Sequence, residues 1–392
     1  MKTVGIIAEY NPFHLAHADM ISRARLDAGA EAVVCVMSGD FVQRGDAACY
    51  SKFARAKAAV RSGVDLVFEL PLPWCLSSAE GFARGGVGLL ASSGVVDIIA
   101  FGSECADRSK LTAVAEALDS PAFPALLKIE LRKGASFARA RENALVALLG
   151  EELRSVLSAP NDILGIEYAR ANAALPRAME LLPIERSGSA HDGAGSASAL
   201  RKMLREGESI EERIPAGAYA VYREESAVFA EELEIALLSR LRALPREAFS
   251  RIPDAAEGLD ALLYAACREE PCVDAILMRC KSKRYALARL RRMLLCAALG
   301  IEKGMNEGIP PYLRVLAANE RGCELLAQMR ASASLPVIVK SASVRRLSEE
   351  AQRVFSLGAA AHDLYVLAYR EQNARRGGED HRATPYIQRD GA

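Results

Sequence analysis

Thr3-Val4-Gly5-Ile6-Ile7-Ala8-Glu9-Tyr10-Asn11-Pro12-Phe13-His14-Leu15-Ala16-His17 is the stretch on which the fold turns. Thr3–Ala8 is a short apolar run suited to a buried strand, and Pro12 fixes a turn after it. The Ala-rich stretch His17–Ala28 suits a helix. Working outward, β-rich runs at Ala32–Met37, Asp65–Leu70 and Val95–Phe101 alternate with helix-suited stretches at Ser51–Ser62 and Ser77–Ala91. This rhythm predicts an α/β fold with a Rossmann-like parallel sheet covered on both faces and joined by right-handed crossovers. Ligands of such sheets bind at the carboxyl ends of the strands.

Further along, several helices are expected between Ser109 and Ala174, and Met179–Ile184 offers a fifth strand. The Gly/Ser-rich stretch that starts at Ser187-Gly188-Ser189 is too short for a linker and reads as a ligand loop. From about Arg205 the patterns become helical, as at Glu231–Leu244, Ala255–Arg268 and Arg284–Leu299. We therefore expect residues 1–206 to form the nucleotide-binding α/β domain and 207–372 a mainly α-helical domain. Residues 373–392, with Arg375-Arg376-Gly377-Gly378-Glu379-Asp380 and few apolar side chains, are expected to be a disordered tail.

Composition bounds the partners. With 51% hydrophobic types over 392 residues the chain can bury a large core, and 50 basic against 50 acidic side chains leave net charge silent, so only local clusters argue for a polyanion. The nine cysteines form no C-x-x-C pair near a histidine, which predicts reduced, mostly buried thiols and no zinc site. No metal ligands are assigned. The first residues lack a signal-peptide pattern, and the apolar stretch Gly85–Gly102 is broken by Gly94 and Asp97. A cytoplasmic protein with no membrane span is expected, and no protein partner is inferred.

Where a strand ends and a helix begins, unpaired backbone N–H groups and the positive end of the helix dipole attract phosphate. His14 and His17 at that junction can add hydrogen bonds. If the ligand is the α-phosphate of ATP under attack, donors aimed at its oxygens lower the barrier. An isolated histidine pair is more commonly a packing or capping pair, and the strand-turn-helix context is what favours catalysis here.

Asn11-Pro12-Phe13-His14-x-x-His17 resembles the H-x-G-H signature of the nucleotidyltransferase superfamily, with Ala16 where Gly is usual. Met37-Ser38-Gly39-Asp40-Phe41-Val42-Gln43-Arg44-Gly45, Asp65–Pro71, Phe101-Gly102-Ser103-Glu104 and Pro160-Asn161-Asp162-Ile163-Leu164-Gly165 narrow it: together they resemble the tRNA(Met) cytidine acetate ligase family. The resemblance implies an ATP-dependent ligase that forms acetyl-adenylate and acetylates the exocyclic amine of the wobble cytidine of elongator tRNA(Met), with ATP as co-substrate. It implies catalytic roles for His14 and His17. It implies nucleotide contacts from Ile7, Ala8, Glu9, Tyr10, Asn11, Pro12, Phe13, His14, Leu15, Ala16, His17, Ala18, Asp19 and Met20, and from Gly102, Asn161, Arg186 and Ser187. Ser196, Ser198 and Arg201 resemble the superfamily's second signature, near the β- and γ-phosphates, although Ser196 also reads as an ordinary helix cap. Mg2+ is expected with ATP.

Gln43 and Arg44, with Lys52 opening the next helix, are candidates for the acetate carboxylate. Lys281, Lys283, Arg284, Arg289, Arg291 and Arg292 surround Tyr285 on an apparent helix whose buried side is Leu287, Leu290 and Leu294. They are candidate RNA contacts, with Tyr285 able to stack on an unpaired base or pack in the core. His191, His362 and His381 receive no role. Two rivals stand beside this reading: an adenylyltransferase acting on a small phosphorylated metabolite, which shares the histidine signature, and a noncatalytic RNA-binding protein.

Overall fold

A computed structural model describes residues 1–186, 196–255, 258–282 and 285–389. The five apolar runs become β1 (Thr3–Ala8), β2 (Ala32–Ser38), β5 (Leu66–Leu70), β6 (Ile98–Ser103) and β7 (Glu180–Glu185), all parallel in the order β5-β2-β1-β6-β7. A small antiparallel hairpin, β3 (Phe41–Val42) with β4 (Asp46–Ala47), stands after β2. Because β1 has β2 on one side and β6 on the other, the crossovers diverge at its carboxyl end and leave a crevice there.

Both faces of the sheet are buried, so the strands read as continuous apolar runs without alternation. Val34, Val36, Leu66 and Phe68 feed one core, and Val33, Cys35, Met37 and Val67 the other. Local chemistry sets the helix ends. Ser51 and Ser78 cap the helices Lys52–Val60 and Ala79–Ser93 through their side-chain oxygens, and Gly94 ends the second at a φ of 69°.

Beyond Gly207 the structure differs from the sequence expectation. The helices Glu234–Ala243, Leu259–Glu269, Val273–Cys280 and Leu287–Leu299 do build a separate apolar core. The chain then returns to the sheet: β8 (Leu313–Ala318) pairs antiparallel with β5, and β9 (Val337–Ile338) and β10 (Tyr386–Ile387) pair with β8. A boundary near Gly207 therefore does not close the α/β unit. Leu313-Arg314-Val315-Leu316-Ala317-Ala318 is a short apolar run between helices, whose periodicity cannot separate a buried strand from a helix turn.

The tail reading is also corrected. Residues 373–389 are ordered, and Asp380 is fully buried against Lys52, 2.8 Å away, and Arg314. Composition signals disorder through missing apolar side chains, whereas this segment is held by ion pairs and by strand pairing of Tyr386 and Ile387. Among the described residues no helix is long and apolar enough to cross a membrane.

Candidate active site

The backbone leaves β1 at Ala8 and is pinned residue by residue. The Glu9 carbonyl accepts from Arg55 Nη1 at 2.5 Å, Asn11 Oδ1 accepts from the Cys49 amide at 2.7 Å, and the Phe13 amide donates to Tyr222 Oη at 3.2 Å. His14 is the N-cap of the helix Leu15–Ala28 with extended backbone. Its ring stacks on that of His17, with centroids 3.7 Å apart.

The His14 amide donates to His17 Nδ1 at 3.2 Å, so the neutral His17 ring carries its proton on Nε2 and presents it as a donor. His14 Nδ1 is buried without a partner among the described residues. Burial, reinforced by the Arg186 and Arg201 charges, pushes the His14 pKa down to about 4. Burial, His14 and Arg186 likewise hold His17 well below its ordinary value. Both rings are neutral at pH 7: they can donate hydrogen bonds but add no cationic charge.

Three further elements close the crevice. Gly102 lies in β6 opposite Ile184 of β7, and a Cβ there would sit 3.3 Å from Arg186 Cγ. The Arg186 amide donates to the Ser103 carbonyl at 3.1 Å. Asn161, at the start of the helix Pro160–Ala173, donates to Glu104 at 2.6 Å, and Asp162 accepts from Ser103 Oγ at 2.5 Å, which locks the loop after β6 to that helix. The helix Ala197–Glu206 starts at Ser196, whose Oγ accepts from the Ala199 amide at 3.2 Å. Arg201 Nη1 donates to the Asn11 carbonyl at 2.7 Å, and its Nη2 to Ser198 Oγ at 3.3 Å. The second signature is thereby tied to the first. Three helix N-termini and two arginines around the ends of β1, β6 and β7 make a site for a polyanion.

The structure thus brings together His14, His17, Gly102, Asn161, Arg186, Ser196, Ser198 and Arg201. Ala16 is exposed in the first helical turn. Ser187 and His191 lie outside the described residues, as do Lys283 and Arg284.

Of the acetate candidates, Gln43 sits in the β3–β4 hairpin, its amide donating to Glu9 Oε1 at 2.9 Å, and Arg44 is exposed beside it. Burial raises the Glu9 pKa against the Gln43 hydrogen bond and the Arg44, Arg201 and Arg55 charges. Lys52 is not available to a free anion. It is fully buried, with Nζ 2.8 Å from both Glu69 and Asp380, so its charge is already neutralised.

The basic cluster is divided. The helix begins only at Leu287, with Ala286 as its cap in extended backbone, so Lys281 and Tyr285 precede it. Arg289 lies over the half-buried Tyr285 ring at 5.1 Å, Arg292 Nη1 donates to the Gln43 carbonyl at 3.2 Å, and Lys281 and Arg291 are exposed.

Sequence reasoning missed two groups. Arg55 is fully buried and donates to the carbonyls of Glu9, Ser38, Gly39 and Tyr50, so one guanidinium holds the loops after β1 and β2. His362 is fully buried between Asp40 at 2.9 Å and Glu379 at 2.8 Å. The available signal was spacing: Lys52, Arg55, Ala56 and Ala59 share one helix face, which the alanines mark as packed.

Comparison with known proteins identifies the family. The sequence model of the HIGH Nucleotidyl Transferase family matches residues 1–380. The tRNA(Met) cytidine acetate ligase of Fervidobacterium nodosum is 35% identical over 417 residues, covering 97% of this chain and 98% of its own. The protein of that name from Caldanaerobacter subterraneus subsp. tengcongensis is 36% identical, covering 94% and 96%. The crystal structure of Thermotoga maritima TmcAL bound with alpha-thio ATP superposes with a TM-score of 0.93 at 32% identity, covering 99% of this chain and 100% of that one.

Proposed function

We propose a reaction from one premise: the chain belongs to the HIGH nucleotidyl transferase family, among its tRNA(Met) cytidine acetate ligases. It is an ATP-dependent ligase acting on tRNA(Met). An acetate oxygen attacks the α-phosphorus of ATP, pyrophosphate leaves, and the mixed anhydride then acylates the exocyclic amine of the wobble cytidine. Free acetate is a poor acyl donor, and exchanging its oxide for AMP supplies a leaving group.

In this reading the His17 Nε2 proton and the His14 ring donate to α-phosphate oxygens as charge grows on them, while Arg201 and Arg186 attract the rest of the triphosphate. Neutral rings suit the task, because they line the crevice without the cost of a buried charge. A bound triphosphate would raise both pKa values by opposing the arginine fields. Mg2+ would supply further neutralisation of the phosphates. The Glu9–Gln43–Arg44 corner is the place we assign to acetate, and the exposed Lys281 and Arg291 on the helical side are the contacts we assign to tRNA. A cytoplasmic location suits these substrates.

The observation that carries the reading is the stacked His14–His17 pair at a helix N-terminus, bonded so that His17 presents a donor and framed by two arginines. It is tested by transfer of labelled acetate into total tRNA with ATP or acetyl-coenzyme A as the energy source. ATP-dependent label recovered as acetylcytidine is expected. Replacement His14→Ala should slow acetate-dependent pyrophosphate exchange by about 100- to 1,000-fold, the effect of removing one transition-state donor, without changing the melting curve. Unchanged exchange in that variant would refute the role.

A further inference from the structure

A cavity of about 410 Å3 opens between the β3–β4 hairpin and the helical half, and none of the roles assigned above accounts for it. Its volume falls in the range of about 300–1,000 Å3 typical of small-ligand sites. Phe41, Leu237, Leu241, Leu277 and Leu294 give it apolar walls, while Asp46, Ser198, Arg201 and Arg291 supply polar groups at its edge.

The wall positions are fixed. Gly45, at a φ of 77°, lets the hairpin press onto the helix Leu287–Leu299 so closely that a Cβ would meet the Arg292 backbone nitrogen at 2.6 Å. The cavity also adjoins the nucleotide crevice, because Ser198 and Arg201 line it while Arg201 is bonded to Asn11 in the histidine loop. The Arg201 charge acts on both His14 and Asp46, so the guanidinium lies within electrostatic range of both.

Four carboxylates line this space, of which Asp46 is half-buried and Asp274 is exposed. Glu231 is paired with Arg205 at 3.0 Å, and Glu234 accepts from the Val273 amide at 2.9 Å. Asp46 uses Oδ1 to accept from the Ala47 amide at 2.9 Å and enters no salt bridge among the described residues. Burial raises its pKa against the opposing Arg201 and Arg291 charges, which makes the carboxylate more basic than an exposed one.

We propose that this cavity receives the unstacked acceptor cytosine of the RNA, and that Asp46 accepts the proton leaving its exocyclic amine. The proposal rests on the acetate ligase reading and names the second-substrate subsite of that site. A flat ring with apolar faces fits between Leu and Phe side chains, as for bases flipped into enzyme pockets. A carboxylate at the edge accepts from the cytosine amine and repels the O4 acceptor that uracil carries in its place. In the transfer step the amine nitrogen forms the C–N bond to the acetyl carbon. The bond from that carbon to the phosphate oxygen breaks, with its electron pair leaving on AMP, and the amine proton passes to Asp46 and then to water.

The test uses the full chain with Asp46→Asn, which keeps the Oδ1 acceptor, and Leu237→Trp, which fills the cavity. Two rates are read for each: acetate-dependent ATP–pyrophosphate exchange and transfer of labelled acetate into total tRNA. Both variants should keep exchange within about twofold. Asp46→Asn should lose transfer by about 100- to 10,000-fold, the range for a general base, together with the acid limb of the transfer pH profile. Leu237→Trp should lower transfer at least tenfold. Wild-type transfer in either variant, or exchange falling in parallel with transfer, overturns the proposal. Absence of acetate-dependent exchange in the wild type would instead overturn the ligase reading itself, so the two failures are told apart.

Discussion

Asp380→Asn should cost about 3–5 kcal/mol of stability, the penalty for removing one partner of a buried ion pair. The side chain is fully buried. Its carboxylate lies 2.8 Å from Lys52 Nζ and 2.5 Å from Arg314 Nη2, and Glu69 bridges the same two cations at 2.8 Å each. With asparagine in place, two buried cations share Glu69, and Asp40 is 3.9 Å from Lys52. Whole-domain stabilities are about 5–15 kcal/mol, so the loss is a large share of the total. The assay is urea unfolding of the wild type, Asp380→Asn, Lys52→Met and the double variant. The double variant should recover part of the loss, since without Lys52 the remaining cation Arg314 keeps Glu69 to itself at 2.8 Å. An Asp380→Asn protein within about 1 kcal/mol of the wild type, well below that penalty, would refute the account, as would strictly additive effects.

Two further outcomes are expected. Burial pushes the His362 pKa down, but Asp40 and Glu379 outweigh it and raise it to about 10. The resulting stability is therefore complete below the unfolded value of about 6.5 and is lost as pH rises through about 10; urea midpoints between pH 6 and 10 should fall in the wild type and stay level in His362→Gln, and a level wild-type profile would count against it. Gly102→Val should raise the KM for ATP by tenfold or more while leaving the urea midpoint nearly unchanged, because the added side chain meets Arg186 at the mouth of the crevice; an unchanged KM in exchange assays would remove Gly102 from the nucleotide site.

The first half of the fold was legible because local and global signals agree there. Thr3–Ala8, the Pro12 turn and the Ala-rich helix are each sufficient locally, and the observed β1 has the expected bounds. The histidine pair was readable for the same reason: its spacing places both rings on one turn. What escaped is held by contacts of long sequence separation. Arg314 stands alone as a charge in a short apolar run, yet it is 5% exposed because Glu69 and Asp380, from remote segments, converge on it. Asp380 reads as tail for the same reason. Helical periodicity around Arg289 and Arg291 extended the helix back to Lys281, because it does not register the extended cap at Ala286.

These remote contacts bear on function through the hairpin. Asp40, just ahead of β3, receives the Lys52 amide at 2.8 Å and His362 at 2.9 Å, so the base of the loop carrying Gln43, Arg44 and Asp46 is anchored to the last helices of the chain. Its tip is anchored separately, by Arg292 donating to Gln43. The proposed adenylate side of the site is held by residues up to Tyr222, whereas the hairpin facing the cavity is also anchored by residues beyond 290. An enzyme with two half-reactions gains from this division, because tRNA contacting the helical side would press on the helix that carries Arg291 and Arg292 and thereby on the hairpin. Loosening the C-terminal segment should accordingly damage acetyl transfer more than pyrophosphate exchange, since the histidine loop is held by Arg55, Arg201 and Tyr222 and, among the described residues, by no hydrogen bond to Asp380 or Arg314.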